Sequence, residues 1–377
     1  MTASPAAKRE RDLRLDFFRG LSLWFIFIDH VPFNRMSWLT IRNYGFSDAA
    51  EIFVFISGYT AAFVYGRMMR EQGFIIAGAR ILKRTWQLYV AFVFLSVIYI
   101  AQIAYVAHNF DNPLFAEEMV TLHFLNRPEI VLLEVLRLRF LLANADVLPL
   151  YIVLMLVFPA ILWLMLRAPT PALALSVAVW SLAYFGGVNL NLYPTERGWF
   201  FNPFAWQLLF CIGAWCAVAG GEWIRLLRES NVLIALCLVY LACAFAMKGT
   251  TWFPRSLDLL PEWLIIFPLD KSSMSPLRLA HFLALALVTV RFVPQDARFL
   301  HSPPAYPLIL CGRHSLEVFC LGVFLSYTAG FVLIEFSSSL PMQALVSLGG
   351  ILAMIGLAAL MSWYKALGQR PARTLAA

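Results

Sequence analysis

The chain has 377 residues, 61% of them hydrophobic and only 14% charged, with a net charge of +7. A soluble domain carries about 25% charged residues, so a water-soluble globular protein is excluded and a polytopic membrane protein is indicated. Where its backbone meets lipid it must be helical. No polar stretch is long enough to fold alone, so residues 1–377 read as one all-α membrane domain.

Residues 1–12 form a polar, basic tail. The apolar run that follows lacks a small-residue cleavage site and is long enough to span, so it reads as a retained helix rather than a signal peptide. Ten spans are expected, at 13–32, 48–66, 85–107, 146–166, 171–188, 203–220, 231–247, 279–295, 306–333 and 342–363. With the N-terminus placed in the cytoplasm, most of the 29 lysines and arginines fall in the cytoplasmic segments, as the positive-inside rule asks. Both termini, including the tail at 364–377, then lie in the cytoplasm. The basic excess reads as topology, not as nucleic-acid binding. The segment 108–145 lies on the opposite side and contains a stretch, Glu129 to Leu142, that reads as an interfacial helix. The six cysteines all fall in apolar runs without metal-ligand spacing, so neither disulfides nor a metal site is expected.

The first span carries the sharpest signal, Arg19 and His30. Ionisable side chains at membrane depth are costly and mark function by default. Eleven positions at about 100° each bring His30 to within roughly 20° of the face of Arg19, and roughly 16 Å along the axis. One helix face thus carries a fixed cation and, three turns away, an imidazole suited to general acid–base work.

The other polar residues fall into two layers. Toward the outer face lie Asp29, Asp48, Glu51, Asn144, Asp146, Asn202, Trp206, Gln207, Arg278 and His281. Asp48 and Glu51 have the spacing of a capping box; the alternative for Glu51 is an acidic partner of His30 or Arg19. Asp29 adjoins His30 but points about 100° away, which makes it a weaker orienting group than a carboxylate on another helix. Asn144 and Asp146 read as helix caps or as acceptor-binding groups, and Trp206 as an interfacial aromatic or a substrate contact. Toward the inner face lie Arg19, Arg313 with His314, and Lys83 with Arg84. Arginine forks suit phosphate, so this layer is able to hold a phosphate-rich carrier such as coenzyme A. Its long arm would reach toward His30.

The residues also carry a resemblance. Arg14 to His30, with an Arg, ten intervening residues and a His, resembles the opening of the membrane-bound acyltransferase family 3. Ser47 to Tyr59 is similar to that family's second helix. Asn144 to Pro159, Phe201 to Trp215 and Cys311 to Gly322 resemble its OpgC branch. The resemblance implies a ten-helix enzyme of the bacterial inner membrane that transfers succinyl from succinyl-CoA to hydroxyls of osmoregulated periplasmic glucans. No tightly bound cofactor is implied. It places His30 in the catalytic part and Arg19 in the donor-binding or structural part of the hallmark. By position, Glu51 or Asp29 would orient the imidazole, and Arg313, His314 and Arg84 fall to the donor. Asn144, Asp146, Asn202, Trp206 and Gln207 fall to the acceptor. Arg278, Arg197 and Gln207 are the candidates for the succinyl carboxylate. A transporter or exporter of a glycan or acyl compound is the competing class, since intramembrane charge suits it too; the lack of an internal repeat weighs against it.

Overall fold

The computed structural model describes residues 12–109, 127–142, 144–195, 197–250 and 269–368. The expected polar tail, most of the 108–145 segment and the C-terminal end lie outside these residues. The described part is all-α, with no strand among the described residues. In chain order the helices are α1 Leu13–His30, α2 Ala49–Gln72, α3 Phe74–Asn109, α4 Pro128–Leu136, α5 Val147–Arg167, α6 Pro169–Gly186, α7 Pro203–Val218, α8 Gly221–Glu229, α9 Asn231–Thr250, α10 Pro276–Phe292, α11 Tyr306–Arg313, α12 Ser315–Glu335 and α13 Leu340–Gly368. Each expected span coincides with a helix, the ninth with α11 and α12 together. Seven described helices are long and apolar enough to cross a membrane, or eight if α7 and α8, bent by 97° at their junction, count as one. This is a multi-pass membrane protein.

The helix ends follow local chemistry. Asp12 caps α1 by accepting from the Arg14 backbone N–H at 3.0 Å, which satisfies one of the orphan donors of a helix start. Asp48 and Glu51 close a full capping box on α2: Asp48 accepts from Ala50 N–H at 2.9 Å, and Glu51 accepts from Asp48 N–H at 2.8 Å. Pro128, Pro169, Pro203 and Pro276 each open a helix, where a missing N–H costs nothing. The segment at Pro128 is shorter than its sequence suggests. Its Glu134 is buried and paired with Arg137 at 3.1 Å and Arg139 at 3.5 Å, so its charge is folded inward rather than along an exposed stripe.

Two helix pairs pack backbone against backbone. A Cβ on Gly20 would run into the Leu308 carbonyl of α11, and one on Gly312 into the Asp16 carbonyl of α1. Likewise a Cβ on Gly58 of α2 would strike the Phe210 carbonyl of α7, and one on Gly213 the Phe55 carbonyl. Apolar side chains gain little by leaving lipid for a helix interface, so small residues that allow close approach carry much of the association. Gly58→Val is therefore expected to lower stability by about 1–3 kcal/mol, the cost of overpacking, read as an earlier thermal transition of the detergent-solubilised protein.

These contacts set the frame of the site. Phe27 of α1 meets Gly322, and Pro32, just past the end of α1, meets Gly330, so α12 runs parallel to α1. On α13, Ser347 faces Asn34 and Ser362 faces His314, so α13 runs the other way. Phe53 packs on Tyr151 at 5.6 Å and Gly66 on Leu162, which makes α5 parallel to α2. Between α1, α2, α5, α12 and α13 lie Arg19, His30, Ser57, Thr60, Tyr151 and Ser326.

Candidate active site

His30 sits on the last turn of α1. Its Nδ1 lies 2.6 Å from the Ile26 carbonyl one turn earlier. A carbonyl only accepts, so Nδ1 carries the proton and Nε2 is left with its lone pair. The ring borders a small internal space of about 10 Å³, shared with Leu23, Phe27, Phe319, Ser326 and Met354. The fixed tautomer leaves one basic nitrogen directed away from the helix backbone, the state a general base requires.

Neither expected carboxylate orients that ring. Asp29 accepts from the Thr40 hydroxyl at 2.7 Å and pairs with Arg42 at 3.9 Å. Glu51, fully buried, is held by Arg278, whose Nε donates to it at 2.9 Å, and by the Asp48 backbone. The orienting role passes to the Ile26 carbonyl, because a side chain at position i reaches the i−4 carbonyl of its own helix without any partner. Arg278 is spoken for as well. It also donates to Asp48 at 3.2 Å, and Asp48 takes Lys271 at 2.7 Å. Two acids and two cations thus lock the start of α2 to the start of α10, and Arg278 is not a free receptor for a succinyl carboxylate. Arg197 is exposed.

At the other end of the α1 face, Arg19 donates to the Thr60 hydroxyl at 2.7 Å and the Ile56 carbonyl at 3.3 Å, both on α2. It lines a cavity of about 240 Å³ whose wall also includes Ser57, Tyr151, Arg84, Ser315 and Phe319. Arg19 and Arg84, far apart in sequence, therefore face one space. The cavity also meets the first turn of α12, where unpaired backbone N–H groups and the helix dipole favour anions.

Arg313 and His314 do not line it. Arg313 reaches Asp16 at 3.7 Å. His314 interrupts the ninth span, with φ −118° and ψ 42° between α11 and α12. Lys365 donates toward its Nδ1 at 3.4 Å, which leaves Nε2–H to donate to the Ser362 hydroxyl at 2.7 Å. Both residues fasten helices beside the cavity rather than present themselves to it.

The acceptor candidates divide. Asn202 caps α7, accepting from Phe204 N–H at 3.0 Å and donating to the Val188 carbonyl at 2.7 Å. Trp206 is fully buried and donates to the Lys271 carbonyl at 2.9 Å. Gln207 exchanges bonds with Ser176. Their polar atoms fasten the fold, so they do not form the expected acceptor surface. Asp146 opens α5 without a side-chain cap bond, and Asn144 holds a left-handed backbone at φ 67°. These two keep polar groups uncommitted by capping. Thr60, Ser57, Tyr151 and Phe319 line the cavity without having stood out in the sequence, because neutral residues inside apolar runs carry no charge signal.

The comparison with curated proteins returns no match. The OpgC protein family matches residues 11–366, a span that includes α1, both cavities and the Glu51–Arg278 lock. With nearly its whole length matched, the chain belongs to the OpgC family.

Proposed function

We propose that this protein is a transmembrane O-acyltransferase of the inner membrane that moves an acyl group, succinyl, from cytoplasmic acyl-CoA to hydroxyls of periplasmic glucans. Family membership supports a glucan-modifying transferase; the donor, the acceptor and the base rest on the chemistry of the two cavities. The observation that carries the reading is their arrangement on α1: a cation-bearing cavity at Arg19 and an unprotonated Nε2 at His30, three turns apart on one helix face.

In this mechanism the larger cavity takes the thin arm of the donor from the Arg84 side. Arg84 meets the phosphates as the arm enters. Nε2 of His30 accepts the proton of a glucan hydroxyl. The hydroxyl oxygen forms a bond to the thioester carbonyl carbon, the carbon–sulfur bond breaks, and the departing thiolate takes the proton back from the imidazolium. No resident cofactor enters the step. Arg19 is held by α2 at the inner depth, where its charge faces the arm and not the acceptor.

The direct test is transfer of radiolabelled succinyl from succinyl-CoA to glucan enclosed in inside-out vesicles. Label on the enclosed glucan supports the reading; label that stays on the donor, with the protein correctly inserted, rejects it. Arg84→Gln is expected to raise the KM for the donor about tenfold or more, since a hydrogen bond to a charged group is worth about 1.5–3 kcal/mol, with kcat little changed. A donor titration in the same vesicles checks this.

A further inference from the structure

The two cavities share one wall. Phe319, on the second turn of α12, borders both the Arg19 cavity and the space beside His30. Its ring is 3% exposed and stacks on Phe53 of α2, centroids 6.2 Å apart and planes at 21°. Phe53 in turn leans edge-on against Tyr151, at 5.6 Å. The polar wall of the larger cavity, with Arg19, Ser57 and Thr60, lies on one side of this stack; His30 and Ser326 lie on the other. Less than a turn further along α12, Gly322 brings no side chain; a Cβ there would stand 3.7–3.8 Å from Met354 and the Cβ of Phe27. A methyl group at Gly322 would find ordinary packing contacts there, so the ring of Phe319, not a side chain at 322, separates the two spaces.

We infer that Phe319 is a positioning residue for the transfer. Its ring closes the passage between the donor cavity and the base, is displaced by the arriving acyl arm, and otherwise keeps water from following it. This rests on the acyl-transfer reading for its chemistry but not for its geometry. An aromatic ring makes a good seal. It is large enough to fill a narrow channel, apolar enough to exclude water, and moves by rotation about two bonds. With the ring removed, water reaches the thioester. The water oxygen attacks the carbonyl carbon, His30 Nε2 accepts its proton, the carbon–sulfur bond breaks, and the thiolate is protonated. The products are the free acid and coenzyme A.

Two measurements test this. In Phe319→Ala, release of coenzyme A without glucan is expected to rise at least tenfold over wild type, and to return to the wild-type level in the Phe319→Ala/His30→Ala double variant. Independently of any turnover, a cysteine at position 326 (Ser326→Cys) is expected to react with a small charged methanethiosulfonate added from the Arg84 side only when Phe319→Ala is also present, read by mass spectrometry of the peptide. Phe319→Leu provides a milder opening if the alanine variant inserts poorly. An unlabelled position 326 in a correctly inserted opened variant overturns the inference. Labelling at 326 in a protein whose wild type transfers no acyl group leaves the partition standing and removes the transferase reading instead.

Discussion

Replacing His30 by alanine is expected to cut acyl transfer by about 10²- to 10⁴-fold, the usual contribution of a positioned general base, with insertion and thermal stability close to wild type. The reason for so clean a separation lies in how the ring is held. Among the described residues, His30 has no side-chain partner to strand when it is removed: its ring bonds to the backbone carbonyl of Ile26 and lines a space of only about 10 Å³. The measurement pairs label transfer in vesicles with a melting curve on the same preparation. His30→Gln sharpens it, because an amide restores hydrogen bonding near Ile26 but supplies no basic nitrogen. Activity in the glutamine variant equal to wild type rejects the base assignment.

The second large effect is expected at Arg278, and it falls on stability. Arg278→Met removes the guanidinium from between two acids, leaving Glu51 fully buried beside Asp48 with Lys271 as the remaining cation. Breaking a buried ion pair by deleting one partner costs about 3–5 kcal/mol, because the other charge stays buried. The detergent-solubilised variant should melt much earlier. Glu51→Gln in the same background should recover part of the loss, since it neutralises the stranded carboxylate while keeping the acceptor for the Asp48 backbone N–H. The pair of variants also separates roles. Loss of transfer in Glu51→Gln is expected to follow loss of folded protein, whereas loss in His30→Ala is not. A Glu51→Gln protein that is fully stable and inactive would put Glu51 back beside the base.

Why part of this architecture is legible in the sequence and part is not comes down to range. Arg19 and His30 share one helix, so the 3.6-residue repeat alone places them on one face. The Asp48–Glu51 capping box is a four-residue pattern, and it is present as such. The ten apolar runs read through to helices because backbone in lipid has little other choice. What stays hidden is the partner each polar side chain takes from far along the chain. Glu51 and Arg278 are 227 positions apart, and their ion pair engages the groups offered for orienting His30 and for holding the succinyl carboxylate. Trp206 and Gln207 looked like binding residues because they sit at a helix start, yet their partners, Lys271 and Ser176, come from elsewhere in the fold. Phe319 is one of 32 phenylalanines; nothing but its position between two cavities sets it apart. The break at His314 was hidden too, since the apolar runs 306–311 and 318–333 on either side of it read together as one span.

The ring of Phe319 also bears on the membrane itself, apart from the reaction. On the inferred partition, an imidazole with a free nitrogen at the end of an opened passage would be a relay for protons, which an energised membrane cannot tolerate. A shut aromatic stack would then keep His30 in exchange with one side only, so an opened Phe319 variant should carry a measurable proton leak even when no substrate is supplied.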